Sequence, residues 1–249
     1  MSIALPAKTG KNVYQTVAMG AICLVIGLFC MKPINPNRRI RDAVENRDFA
    51  AVESELKKGA NPNARYSKKG EELFYSLLHC AVSKADPRIT EVLLKAGATV
   101  DDLDSDGRTP LMACVLEEND SANVACSELL IRYGAGVNYE TEGKTTPLHL
   151  AAEAVNTDHV KLLLRNGAKV NVVDSHGNTP LHNVCRLWRR RDPTRQGPTI
   201  QALLHSGADP SIRNRDGMTP RDILIRERRT ELISEYDAAC AVGNAQSTP

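Results

Sequence analysis

Three histidines stand in matching places along the chain. His79, His149 and His182 each follow a hydroxyl residue (Ser76, Thr146 and Thr179) by three positions. Imidazoles set out in this way are material for a metal array or for general-base work. A second group is the carboxylate run Asp101-Asp102 with Asp104 and Asp106, which suggests calcium. It lacks the loop length and terminal Glu of a calcium motif, and its Asp106-Gly107 end is a tight-turn pair, so it reads as a solvated hairpin. Glu142-Gly143-Lys144-Thr145-Thr146 points toward a phosphate-binding loop, yet that motif needs Gly at 138, where the chain has Asn138. No H-E-x-x-H, G-x-S-x-G or C-x-x-C occurs. With no residue left to carry catalysis, the chain is expected not to be an enzyme and to use no metal, cofactor or small-molecule substrate.

The densest candidate contact is Arg186-Leu187-Trp188-Arg189-Arg190-Arg191-Asp192-Pro193-Thr194-Arg195, in which five arginines surround the chain's only Trp. Trp and Arg dominate binding hot spots, and the planar guanidinium bonds phosphate or carboxylate through two parallel hydrogen bonds. Trp188, Arg189, Arg190, Arg191 and Arg195 are therefore expected to contact a partner or an anionic lipid headgroup. The plainer reading has Trp188 capping a helix end among solvated arginines. A formal net charge of +2 with no basic aromatic motif gives no support for nucleic acid.

The elements that position these residues repeat. Gly-Ala pairs begin at Gly59, Gly97, Gly134, Gly167 and Gly207, and from the last four the next Thr-Pro (Thr109, Thr146, Thr179, Thr219) lies 12 residues on. Thr caps a helix N-terminus through its hydroxyl, Pro fits the first helical position, and Gly suits the left-handed residue that closes a helix. Asp106-Gly107, His176-Gly177 and Asp216-Gly217 supply tight turns between units. Each unit thus reads helix, short turn, helix, hairpin, and a fixed phase over so long a stretch marks one supersecondary unit copied repeatedly. The Gly-Ala intervals are 38, 37, 33 and 40 residues. The excess places insertions near 66–72, 117–121 and 188–197, in loops between elements.

Thr146-Pro147-Leu148-His149-Leu150-Ala151 resembles the signature of the ankyrin repeat, T-P-L-H-x-A on a period of about 33 residues. Thr179-Pro180-Leu181-His182 and Ser76-Leu77-Leu78-His79-Cys80-Ala81 match in part. The resemblance implies an all-α repeat fold, an ankyrin-type solenoid of helix-turn-helix units with β-hairpin fingers, and gives the histidines a structural bond to the turn and the neighbouring hairpin. It places Cys80, Cys114, Cys126 and Cys185 in the core as inert thiols. It also implies a concave groove that binds another protein. The family's variable groove positions fall on Leu103, Ser105 and Arg108, then Glu140, Glu142 and Thr145, then Val173, Ser175, His176 and Asn178, then Arg213, Arg215 and Met218, with Glu153 and Arg186 from first helices. Such a groove would run from an acidic middle to a basic C-terminal end.

From Val13 to Met31 no charged residue appears, which is near the lower end of what spans a bilayer. Residues 13–32 are expected to form one transmembrane helix; a cleaved signal peptide is the rival, but no small-x-small cleavage site is evident. Residues 1–12 are then a tail and 33–37 a short linker. Five repeats plus a C-terminal capping unit fill 38–237, and a disordered tail fills 238–249. Lys32, Arg38, Arg39 and Arg41 outnumber Lys8 and Lys11, favouring a single-pass protein with its repeats on the cytoplasmic face. A periplasmic or other extracytoplasmic domain is the alternative, where Asn119-Asp120-Ser121 would be a glycosylation sequon.

Overall fold

The computed structural model describes residues 36–67, 74–117, 121–186 and 193–245. Six helix pairs follow one another among them. They are α1 (Pro36–Glu45) with α2 (Phe49–Lys57), α3 (Leu77–Ser83) with α4 (Pro87–Lys95), and α5 (Pro110–Leu116) with α6 (Ser121–Arg132). Next come α7 (Pro147–Glu153) with α8 (Thr157–Arg165), α9 (Pro180–Cys185) with α10 (Gln196–His205), and α11 (Pro220–Arg226) with α12 (Thr230–Ala245). This is the expected solenoid of five units and a cap.

Local chemistry starts the first helix of five units, and stops the second helix of five, where the sequence indicates. Ser76, Thr109, Thr146, Thr179 and Thr219 each accept from the backbone N–H three residues on, satisfying a donor that the helix itself cannot. At the far end Gly97 has φ +89°, and Ala98 N donates to Leu93 O at 3.0 Å. The other Gly-Ala glycines take the same left-handed conformation. Plain units reverse between helices through one left-handed residue: Arg47, Ala85, Val155 and Arg228. In the third and fifth units the chain instead leaves the first helix extended at Glu117 and Arg186. Those are the places where the spacing put the insertions.

Unit stacks on unit through one continuous apolar layer that runs from Ile40 to Ala239. A lone helix pair cannot bury its apolar face, so neighbours supply the core for each other. Leu93, Leu130, Leu163 and Leu203, four residues before the last four Gly-Ala pairs, are buried.

Three boundaries differ from the sequence reading. The first helix begins at Pro36, inside the expected linker 33–37, because Pro is well placed in a first helical turn. The last helix continues to Ala245, so the expected disordered tail from 238 is corrected over 238–245. Leu232, Tyr236 and Ala239 recur at helical spacing and are buried, which holds that helix on. Finally, only the first finger has paired strands among the described residues. There β1 (Arg65–Ser67) runs antiparallel to β2 (Phe74–Ser76), with Tyr66 opposite Tyr75. The other fingers are turns closed by two backbone bonds, such as Asp174 N to Asn178 O at 2.9 Å and Gly177 N to Asp174 O at 3.0 Å.

The expected anchor at 13–32 lies outside the described residues, as do Trp188, Arg189, Arg190 and Arg191. Among the described residues no helix is long and apolar enough to cross a membrane.

Candidate partner-binding groove

The residues that suggested chemistry are occupied by the scaffold. Nε2 of His79, His149 and His182 donates to a backbone carbonyl of the following finger (Arg108, Asn178 and Met218), at 3.1, 3.0 and 3.1 Å. Their Nδ1 atoms lie 2.8, 2.9 and 2.8 Å from the capping hydroxyls of Ser76, Thr146 and Thr179. Burial holds all three imidazoles below their ordinary pKa. The carboxylate run is likewise employed. Asp101 accepts from Gly136 N, Asp102 pairs with Arg65, Asp104 accepts from the N–H groups of Asp106 and Arg108, and Asp106 pairs with Arg108 at 3.1 Å. Cys80, Cys114, Cys126 and Cys185 are buried thiols in no disulfide, and burial pushes Cys114 and Cys185 well up in pKa.

Finger turns and first helices enclose a row of hollows on one face. The first, about 820 Å³, runs across the first three units, with Glu45, Tyr75, Lys84, Arg108 and Glu117 among its walls. The next, 430 Å³, brings together Leu103, Ser105, Arg108, Glu142, Thr145 and Leu150. A third, 270 Å³, is lined by Glu153, Ser175, His176 and Arg186, and shares Gly143 and Thr145 with its neighbour. The fingers are pinned side by side by backbone bonds, Ser175 N to Gly143 O at 2.9 Å and Arg215 N to His176 O at 3.0 Å. That contact is close enough that a Cβ on Gly177, at φ +77°, would lie 3.0 Å from Arg215 N. Glu140 and Val173 are exposed on the same fingers, and Arg213 and Arg215 on the last one.

Two expected groove residues are placed differently. Asn178 is 3% exposed: its Oδ1 accepts from Asn214 Nδ2 at 2.9 Å and its carbonyl accepts from His149, so it braces two fingers. Met218 is half-buried against the core, and its sulfur accepts from Arg226 at 3.4 Å. Arg195 is exposed in the short 3-10 turn Pro193–Arg195 that leads into α10.

A family model described as "Ankyrin repeats (3 copies)" matches residues 40–138 and 120–214. The chain belongs to the ankyrin repeat family. Among curated proteins, NF-kappa-B inhibitor delta of Mus musculus is 32% identical over 193 residues, which is 70% of this chain and 58% of that protein. Inversin of Danio rerio is 38% identical over 86 residues, 34% of this chain and 8% of inversin. This chain therefore spans less than two thirds of either relative. A crystal structure of an ankyrin repeat domain from Acinetobacter baumannii AYE has a TM-score of 0.67 at 22% identity, covering 80% of this chain and 96% of that one, and so shares the fold.

Within this ankyrin stack, two sets of residues went unremarked in the sequence. Asn63, Asn138 and Asn171 each stand four residues after a Gly-Ala glycine and tie one unit to the next. Each Nδ2 donates to the following unit's glycine carbonyl (Gly97, Gly167, Gly207) at 3.0–3.1 Å, and each Oδ1 accepts a backbone N–H two residues beyond. Their common offset from Gly-Ala was the available signal. Gln196 has no such periodicity. Buried at the exit of the fifth-unit insertion, it donates to Val184 O at 2.5 Å and accepts from Arg229 at 3.1 Å, pinning that exit to two units at once.

Proposed function

We propose that this chain is a membrane-tethered interaction scaffold that captures a partner protein in its concave groove. Ankyrin repeat domains mediate protein–protein interaction, and one relative is named as an inhibitor of another protein, NF-kappa-B, which is work of the same kind. The observation that carries the reading is that two neighbouring hollows each have in their wall a carboxylate that the scaffold does not pair, Glu142 in one and Glu153 in the next. Glu140 and Glu142 are exposed, Glu153 is half-buried, and none of the three makes an ion pair with a described residue. The uncharged stretch from Val13 to Met31 supports the tether, and Lys32, Arg38, Arg39 and Arg41 after it support a cytoplasmic stack. Arg38 and Arg41 pair with Asp42 within α1, but acidic neighbours count little in that rule. A tether raises the local concentration of whatever the groove holds.

Affinity capture with the full chain tests this. A version carrying Ser at Glu140, Glu142, Glu153, Arg186, Arg213 and Arg215 is expected to lose the proteins retained by the native chain. Identical sets from both would remove the groove assignment. The alternative, an anionic-lipid or anion contact through the Arg-rich segment, has Arg186 and Arg195 exposed at its two ends. Salt-sensitive flotation of residues 38–249 with anionic vesicles would favour it.

A further inference from the structure

The two ends of the groove differ in which charges remain unused. Most acidic side chains near the fingers are consumed by the turns themselves. Asp104 and Asp174 accept backbone N–H groups across their own turns, Asp102 faces Arg65, and Asp106 faces Arg108. Glu140, Glu142 and Glu153 are left over, outnumbering the one exposed lysine of the same finger, Lys144. Glu140 and Glu142 stand on the third finger and Glu153 on the helix behind it; Glu142 lines one, and Glu153 the other, of the two hollows that share Gly143 and Thr145. Leu103 and Leu150 add apolar wall there, and Val173, 41% exposed, stands on the next finger. One finger further on the sign reverses. Arg215 is exposed with no ion pair to a described residue, and Arg213, also exposed, donates to Gly217 O of its own finger at 2.6 Å and shares Asp222 at 3.4 Å; Asp216 is the one exposed acid between them and the turn glycine.

We infer that the groove takes an extended, bipolar segment of a partner protein, with Lys or Arg side chains seated among Glu140, Glu142 and Glu153 and Asp or Glu side chains facing Arg213 and Arg215. This rests on the groove being the binding face and names the chemistry of what it binds. Lys and Arg suit the middle hollows because their aliphatic stems lie along apolar wall such as Leu103 and Leu150 while the charged head reaches a carboxylate. Exposed ion pairs add little affinity, so their work is to set register and speed encounter. A segment of the opposite charge order meets like charge at both ends and is rejected.

The test pans a random peptide library displayed on phage against the full chain. Enriched peptides are expected to carry a basic cluster and an acidic cluster in one fixed order. A synthetic representative is expected to bind about tenfold more weakly to Glu142→Lys/Glu153→Lys, and again to Arg213→Glu/Arg215→Glu. The same peptide with its charges exchanged is expected to bind the fourfold variant better than the native chain. Glu142, Arg213 and Arg215 are exposed and Glu153 is half-buried, and unchanged thermal melts verify that the variants fold. Peptides that need the native fingers but show no charge order, or ignore both charge variants, would overturn the bipolar partner while leaving the groove reading in place. Peptides indifferent to the sixfold Ser version would remove the groove reading, and this inference with it.

Discussion

Asn178 sits where a variable groove contact is expected, yet both ends of its functional role point inward. Its side chain receives Asn214 at 2.9 Å, and its carbonyl receives His149 at 3.0 Å. Loss of a buried hydrogen-bonding group strands its partner, so Asn178→Ala is expected to cost about 1–3 kcal/mol by urea denaturation. Partner capture by the folded variant is expected to be unchanged, which separates bracing from contact. The three turn histidines carry a pH dependence of definite sign. Their folded pKa values are lowered, chiefly by burial, and protonating Nδ1 removes the acceptor that faces the capping hydroxyl. The unfolded chain therefore takes up more protons as pH falls through about 6.5. Stability is full above that value and declines as pH falls toward the folded pKa. Asp222 and Asp237 have lowered values too, so their loss comes only below about pH 4. Urea midpoints are expected to fall between about pH 7.5 and 5.5, with a shallower fall in His149→Gln.

At the scale of elements, capping residues and Gly-Ala ends were legible because each acts over one helical turn. Hairpin ladders were not. A finger such as Asp174–Asn178 is too short for strands once the Asp174 carboxylate has taken the N–H groups of His176 and Asn178. The reach of the last helix was also hidden, since Ala, Gly and Cys beyond 237 show no repeat. Its continuation is decided by what it packs on. Tyr236 and Ala239 are buried, and Cys240 is half-buried against the core. Removing 238–249 is expected to lower stability by about 2 kcal/mol in urea unfolding followed by circular dichroism, through exposed apolar surface and a frayed Tyr236. An unchanged midpoint would return the boundary to 237.

For the whole molecule, the proposed tether has a direct readout. The full chain is expected to pellet with membranes and resist alkaline carbonate, while a version lacking residues 1–32 appears in the supernatant. Equal partition of both would remove the anchor. The stack itself followed from sequence because ankyrin units contact only their neighbours, so a repeating local signal is also a repeating tertiary contact. Which side chains are spent could not be read that way. His79 bonds a carbonyl 29 residues on, Asn63 one 34 residues on, and Gln196 joins Val184 to Arg229. From order and spacing alone came the repeat, its caps, the sites of insertion and the sign of the charges along the fingers, all of them local or periodic properties. The tertiary structure decided that Asn178 is a brace, that Asp104 and Asp174 are consumed by their turns, and that Glu140, Glu142 and Glu153 remain. Those assignments depend on burial and on partners in other units, and a linear chain does not carry either.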